Sequence, residues 1–487
     1  MQCKRLSVNY HKPYVIIRKK CVPLYPNYCI MRISTLFLLS VLSLSAMATD
    51  YDLDKPFGFC TVSSRTDAAS TYNVTGGGCY TYPIPTEFTG KIVFLKSNGQ
   101  DMKGTIQNAI KQNDVIIFDG TDGDFIVSSS INFERGDKTL LGINNARLCT
   151  QWYVTDEIKA ALDAAGVKGM STSSGTGGTL SNGSKVDEQA ELGTRQALID
   201  LIGDSNESYR NSGIFYVSGK QNIIIRNITF VGPGSIDVSG SDLISFVSST
   251  KNCWVDHCSF IDGMDGNFDI TKSSDFNTVS WCTFSYTARS YVHQNTNLIG
   301  SNDSEPTGYL NTTFAFNWWA TGCNQRMPMA RAGKIHMLNN YYTCANNSSA
   351  INPRKNSEFL VEGNYFDTGV KKVYSQSSAV AVTWKDDNII AEKSVTKPSS
   401  FGTTVTVPYT YSTANASEVP TIVKENAGAT LKFQDASGIE DIATSVGVQK
   451  VEYYSLNGIL LSVPTKGLAI QVTTLKDGTK KTKKIIR

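Results

Sequence analysis

Acidic side chains at residues 242–269 have the types and spacing of groups that work together. Asp265 and Asp269 lie four residues apart around Gly266, and Asp242 lies about one sequence repeat earlier. Three carboxylates without a convergent histidine or cysteine suit a hard, oxygen-preferring cation, Ca²⁺ before Mg²⁺. Because Asp-Gly is also a common turn, an ordinary loop is the alternative explanation.

Basic side chains follow further along the chain. Arg326 and Arg331 lie five residues apart across Pro328, just before a strand-like run. Two fixed guanidinium groups suit recognition of carboxylates, and solvated loop arginines are the alternative. Together, a cation site and paired arginines favour an enzyme that acts on an acidic polymer.

A repeat positions these residues. Six strand-like runs end in an aromatic residue, and those ends lie 23 to 35 residues apart, as in a stacked solenoid. Short alternating strands without intervening helices predict an all-β fold, a right-handed parallel β-helix, with a β-sandwich as the alternative. The runs are 223–230, 253–260, 277–284, 312–319, 335–342 and 359–366.

Aligning the runs on the final aromatic residue gives two columns. The residue five positions earlier is always apolar, which predicts an inward stack of Ile225, Val255, Val279, Phe314, Met337 and Val361. The residue two positions earlier predicts a ladder of hydrogen-bonded asparagines and small cysteines, formed by Ile228, Cys258, Cys282, Asn317, Asn340 and Asn364.

The chain divides into three parts. Residues 1–48 are predicted to be an upstream extension plus a signal peptide, started at Met31 and cut after Ala48, which implies a secreted, periplasmic or cell-surface protein. Residues 49–437 form the β-helix, with a helical insertion at 152–211. Residues 438–487 form a small all-β domain with turns at 457–458 and 477–478.

Charge and cysteines limit the partners. The formal charge is +3 for the whole chain but about −4 without residues 1–48, so nucleic acid is disfavoured. We expect no membrane span, because the leading apolar run is too short, and a monomer. Export permits disulfides, and sequence spacing favours the pairs Cys60–Cys79 and Cys323–Cys344.

Seven phrases resemble, in order and spacing, sequences of the pectate lyases of polysaccharide lyase family 1. They are NIIIRNITF at 222–230, WVDH at 254–257, DGNFDI at 265–270, TVSWC at 278–282, LIG at 298–300, RMPMAR at 326–331 and HMLNNYY at 336–342. The resemblance covers about residues 58–429. It implies a β-helix enzyme that cleaves polygalacturonate by calcium-assisted β-elimination. The tail resembles C-terminal sorting domains of exported Bacteroidetes proteins.

The resemblance also implies roles for single residues. Asp242, Asp265 and Asp269 match the calcium ligands. Arg326 matches the arginine that abstracts the C5 proton, and Arg331 matches an arginine that binds substrate carboxylate. The WVDH phrase has a structural role in the family.

One position departs from the family pattern. Asn295 stands where members carry a lysine that holds substrate carboxylate, so a neutral amide is expected to contact the substrate. This leaves open weaker binding of fully acidic polymer, tolerance of methyl esters, or Arg289 as a substitute cation. A pectin lyase and a non-catalytic pectin-binding β-helix are the alternatives. A polygalacturonase is disfavoured because no histidine follows a glycine.

Overall fold

A computed structural model of the 487-residue chain describes most of residues 55–486. The described ranges are 55–67, 69–164, 211–236, 240–291, 293–377, 380–433, 448–454, 460–461, 468–475 and 480–486. The predicted signal peptide, most of the insertion and both predicted tail turns lie outside the described residues.

Three parallel sheets form the body of the described chain, and successive coils add one strand to each sheet. This is the predicted right-handed parallel β-helix. Sheet A contains Ile92–Lys96, Val115–Asp119, Lys138–Ile143, Ile223–Arg226, Lys251–Asp256, Asp275–Ser280, Thr312–Ala315, Lys334–Leu338, Glu358–Glu362 and Ala381–Trp384. Sheet B contains Ile131–Asn132, Phe215–Ser218, Ile244–Val247, Phe268–Ile270, Leu298–Ile299, Met329–Ala330 and Asn352–Pro353. Sheet C contains Phe125–Val127, Arg147–Thr150, Thr229–Val231, Ser259–Ile261, Thr283–Ser285, Trp318–Trp319, Tyr341–Tyr342, Tyr365–Phe366 and Ile389–Ile390.

Each predicted run is two strands rather than one. A residue with left-handed backbone separates the sheet A strand from the sheet C strand, as at His257 (φ 47°), Trp281 (φ 52°) and Phe316 (φ 56°). Bulky residues rarely adopt this conformation, so their identity gave no sign of a corner. Stacking across coils supports it, because the Trp281 ring stacks on Phe316 at 4.3 Å.

Both predicted columns are confirmed. The inward residues pair in register from coil to coil, as Val255 does with Ile225 and Val279, and all six are fully buried. The asparagines form a hydrogen-bonded ladder in which Asn317 Nδ2 donates to Asn340 Oδ1 (3.1 Å) and Asn340 Nδ2 donates to Asn364 Oδ1 (2.9 Å). These bonds satisfy amides in a core where an unpaired polar group is costly.

The described part of the chain contains three α-helices: α1 (Lys103–Gln112), α2 (Asp156–Ala164) and α3 (Val419–Asn426). Helix α2 is the predicted start of the insertion, and α1 and α3 were not predicted. Helix α1 buries Ile106, Ala109 and Ile110 in the apolar core. Short 3₁₀ helices occupy Gly58–Thr61 and Gly120–Asp122. None of the described helices has the length and apolar character needed to cross a membrane.

The tail contains an antiparallel four-stranded sheet, as the all-β prediction required. Its strands are Val448–Tyr454, Leu460–Leu461, Leu468–Leu475 and Lys480–Ile486. The last two pair along seven positions, from Leu468 with Ile486 to Thr474 with Lys480.

The disulfide prediction is wrong for this structure: Cys60, Cys79, Cys323 and Cys344 are all free, buried thiols. Sequence spacing suggested the pairs, but the thiols are engaged inside the packed coils. Cys323 Sγ donates to the Phe284 carbonyl (3.3 Å), and Cys344 Sγ contacts the Met327 sulfur (3.5 Å).

The WVDH phrase is part of the buried scaffold. Asp256 is fully buried, and its carboxylate accepts from Arg226 Nε (2.8 Å) and Ser280 Oγ (2.7 Å) and contacts His257 Nδ1 (2.7 Å). Burial alone would raise the Asp256 pKa, but His257 and Arg226 together hold that pKa below its ordinary value. The network joins neighbouring coils of sheet A.

Candidate functional site

Four of the predicted site residues lie at one edge of sheet B. Asp242, Asp265 and Arg326 each precede one of its strands, and Asp269 is the middle residue of Phe268–Ile270. Because parallel strands stack in register, with Ser245 opposite Asp269, residues that precede successive strands meet at the same edge. The repeat therefore brings together side chains up to 84 positions apart in the sequence.

Asp242 and Asp269 form a close carboxylate pair over Gly266. A Cβ at Gly266 would lie 2.8 Å from Asp242 Oδ1 and 3.0 Å from Asp269 Oδ1, so only glycine leaves both oxygens their space. Asp242 Oδ2 accepts from Ser245 Oγ (2.8 Å), and Asp269 Oδ1 accepts from the Leu298 N–H (2.9 Å). Asp242 Oδ1 is buried without a hydrogen-bond partner.

The neighbouring carboxyl groups of Asp242 and Asp269 oppose each other's ionisation. Burial, with the charge of Asp265, raises the Asp242 pKa to about 7. Burial, with the charge of Asp242, raises the Asp269 pKa well above its ordinary value. A cation bound beside these two carboxyl groups would lower both pKa values, because it favours the ionised form of each.

Asp265 lies in the adjacent loop, and its charge acts on both members of the pair. Its side chain is 50% exposed, and Oδ1 lies 3.1 Å from His293 Nε2. Among the described residues, no three His, Cys, Asp or Glu side chains are arranged to hold a metal ion by themselves. Burial would raise the Asp265 pKa, but the His293 contact and Arg326 lower it overall.

Arg326 supplies the positive charge of this edge. Its backbone is left-handed (φ 60°), and its carbonyl accepts from the Asn297 N–H (2.7 Å), which ties it to the neighbouring coil. The Arg326 charge lowers the pKa of all three aspartates. The side chain is partly exposed, so carboxylates and a guanidinium share one accessible electrostatic site.

Arg331 lies beyond the other end of the same strand, Met329–Ala330. Its Nε contacts Asp303 Oδ1 (2.9 Å) and its Nη1 donates to the Gly300 carbonyl (2.9 Å). These contacts fix the position of the side chain, which is 14% exposed. The structure therefore separates the two arginines that the sequence placed five residues apart.

Asn295 and Arg289, the two residues considered for the missing lysine, both have partners inside the protein. Asn295 is 1% exposed, its Nδ2 lies 2.7 Å from His293 Nε2, and its Oδ1 has no hydrogen-bond partner. The Arg289 guanidinium lies 4.2 Å from the centre of the Tyr153 ring and donates to the Gly232 carbonyl (3.3 Å). Arg289 therefore fastens the base of the insertion to its neighbouring loop.

Sequence reasoning missed three partners of the acidic residues: Ser245, His293 and the Leu298 N–H. Ser245 lies 24 residues before Asp269, about one sequence repeat, and that spacing was the available signal. His293 was not among the predicted site residues. Its contact with Asp265 depends on loop geometry that the repeat does not specify.

A second concave region lies away from this edge. A cavity of about 870 Å³ is lined by Arg65, Lys334 and Glu358 together with five residues of the segment 402–408. It includes none of the predicted site residues. Its cations are paired, because Arg65 contacts Asp275 (3.0 Å) and Lys334 contacts Glu358 (3.4 Å).

A sequence family described as pectate lyase matches residues 155–432. A probable pectate lyase A of Neosartorya fischeri is 33% identical over 258 residues, which cover 50% of this chain and 74% of that protein. Pectate lyase A of Aspergillus niger is also 33% identical over 258 residues, covering 50% of this chain and 73% of that protein.

A solved structure is similar over a longer span at lower identity. It is the pectate lyase Bsp165PelA from Bacillus sp. N165 in complex with trigalacturonate. The TM-score is 0.47 with 20% sequence identity, covering 77% of this chain and 98% of that chain.

Proposed function

Because this chain belongs to the pectate lyase family, we propose that it cleaves α-1,4-linked polygalacturonate by calcium-assisted β-elimination, releasing 4,5-unsaturated oligogalacturonates. The observation that carries the proposal is the edge of sheet B, where Asp242, Asp265 and Asp269 share the field of Arg326. An acidic sugar polymer needs both a cation and a guanidinium to dock on such an acidic surface.

The acidic residues fit Ca²⁺. Asp242 and Asp269 offer oxygen ligands, Asp242 Oδ1 is buried without a partner, and Gly266 keeps the space between them open. Asp265 offers its exposed carboxylate from the adjacent loop. When bound, the ion would neutralise a uronate carboxylate and so acidify the proton at C5 of the sugar.

We assign proton abstraction at C5 to Arg326, because its charge lowers the pKa of all three aspartates. A guanidinium normally keeps its proton, so this role favours operation at alkaline pH. Arg331, fixed by Asp303 and Gly300, would bind a second substrate carboxylate through its exposed part. Asn295, expected from the sequence to contact the substrate, is 1% exposed and contacts His293 instead, so we assign it no direct contact with the polymer.

Purified residues 49–487 test the reaction type with polygalacturonate, with and without a calcium chelator. We expect ultraviolet absorbance of the unsaturated product to rise only with calcium. New reducing ends without that absorbance would indicate hydrolysis, and binding without either signal would indicate a non-catalytic protein. Activity confined to methyl-esterified polymer and independent of calcium would favour a pectin lyase.

Arg326→Ala tests the proposed base. Loss of general acid–base catalysis should lower turnover by about 10²- to 10⁴-fold, with an unchanged melting temperature. Arg135→Ala is the matched control, because Arg135 is an exposed arginine that bonds the Lys111 carbonyl far from this edge. Retained turnover in Arg326→Ala would remove it from the base role.

We also propose that the protein is exported, on the signal-peptide pattern of residues 31–48. Deleting these residues should keep the protein inside expressing cells. Deleting residues 440–487 instead tests the proposed sorting role of the tail. Unchanged fractionation in either deletion would contradict the corresponding role.

A further inference from the structure

A single nitrogen of His293 contacts two side chains of the site edge. Nε2 lies 3.1 Å from Asp265 Oδ1 and 2.7 Å from the side-chain amide of Asn295. His293 is only 8% exposed, whereas Asp265 is 50% exposed. A buried ring therefore holds a carboxylate that would otherwise be free to point into solvent.

The hydrogen bonds identify the proton position. A carboxylate accepts only, so the contact with Asp265 requires Nε2 to carry a hydrogen. Asn295 must then present its oxygen to the same N–H, which is a rotation of the amide by half a turn. The rotation pairs Asn295 Oδ1 with this N–H and moves Nδ2 to the position that has no hydrogen-bond partner. A lysine at position 295 could not accept this bond.

The backbone holds the donor rigidly. His293 has left-handed backbone (φ 63°), and its carbonyl accepts from the Asn295 N–H (2.7 Å). The Asn295 carbonyl in turn accepts from the Tyr286 hydroxyl, which is buried in the core. Asn295 is thus tied to Tyr286 and to His293, and the imidazole of His293 reaches outward from this anchored turn to Asp265.

We propose that His293 is a positioning residue for Asp265, and that Asn295 fixes its ring. The contact uses one oxygen of Asp265 and leaves the other for the cation beside Asp242 and Asp269. This inference rests on the proposed calcium-dependent function. Residues that orient metal ligands in this way typically change metal affinity by about 10- to 100-fold when they are lost.

Calcium titration of the full mature chain without substrate, by isothermal calorimetry, tests the inference. His293→Ala should bind Ca²⁺ about 10- to 100-fold more weakly. His293→Gln keeps an N–H donor and should recover much of the loss. Both variants put a non-glycine residue into the same left-handed backbone, so their difference reports the donor rather than the backbone. Gln294→Ala, in the same loop, should bind like the wild type.

Kinetics separate positioning from catalysis. At saturating calcium, His293→Ala should retain turnover within a few-fold, while the calcium concentration for half-maximal rate rises in parallel with the calorimetric constant. Equal calcium affinity in wild type and His293→Ala would overturn the inference and leave the proposed function standing. A wild-type protein that binds no calcium would overturn both. Equal losses of calcium affinity in His293→Ala and His293→Gln would also overturn the inference about His293.

Discussion

Replacing Gly266 with alanine adds one methyl group between two carboxylates and changes no charge. The new Cβ would lie 2.8 Å from Asp242 Oδ1 and 3.0 Å from Asp269 Oδ1, whereas ordinary contacts begin near 3.4 Å. Neither oxygen moves freely, because Ser245 holds the Asp242 carboxylate and the Leu298 N–H holds that of Asp269. Gly266 is not in left-handed backbone, so alanine fits its main chain.

The size of the effect follows from the displacement. Relief of the contacts moves the oxygens by roughly 0.4–0.6 Å, a large shift against Ca–O distances of about 2.3–2.6 Å. Pushing each carboxylate off its preferred rotamer costs about 0.5–1.5 kcal/mol. For two carboxylates the cost is about 1–3 kcal/mol, which weakens calcium binding by about 5- to 150-fold.

Calorimetric calcium titration of Gly266→Ala measures this directly. Gly104→Ala is the matched control, because a Cβ at Gly104 on helix α1 meets nothing within 4 Å. The control should bind calcium like the wild type. Wild-type affinity in Gly266→Ala, with an unchanged melting temperature, would refute the assignment of Asp242 and Asp269 as ligands.

Three further predictions concern the site and the scaffold. Ser245→Ala removes the donor to Asp242 Oδ2 and should weaken calcium binding by about tenfold; calorimetry showing no change would contradict this. Asn340→Ala removes the acceptor of the buried Asn317 N–H and of one of the two Asn317 Nδ2 hydrogens. The free energy of unfolding, measured with urea, should fall by about 2–5 kcal/mol. A loss under about 1 kcal/mol, on the order of one exposed hydrogen bond, would count against the ladder. Burial lowers the His336 pKa below its ordinary 6.5 although Glu362 opposes the shift, so the unfolded chain binds more protons just below pH 6.5 and stability should fall there on acidification. The melting temperature of His336→Gln should fall less across that range, and parallel curves would disprove the role of His336.

Most of the fold could be predicted from the sequence repeat. Apolar residues recurring at one position in each run specify an inward stack, and Val255, Val279 and Phe314 all occupy it. Three corners have asparagine or glycine, which favour left-handed backbone, but the other three have His257, Trp281 and Phe316, whose identity gives no sign of a turn. Their conformation is stabilised by stacking across coils, a tertiary effect that no single run contains.

The site was predicted as a set of residues but not as a geometry. Parallel register explains why Asp242 and Asp269 meet, since both belong to consecutive coils of sheet B. It does not specify loop contacts, so the link between Asp265 and His293 was missed. The cysteine pairs failed for a related reason: sequence spacing does not reveal that Cys323 and Cys344 point into the packed coils.

Mass spectrometry of the products from a defined oligogalacturonate tests the central claim most directly. Elimination uses no water, so the two fragments of each cleavage should have masses that sum to the mass of the parent. They should appear with calcium, disappear with chelator and be absent for Arg326→Ala. Fragments whose masses sum to the parent plus one water would show hydrolysis and contradict the account.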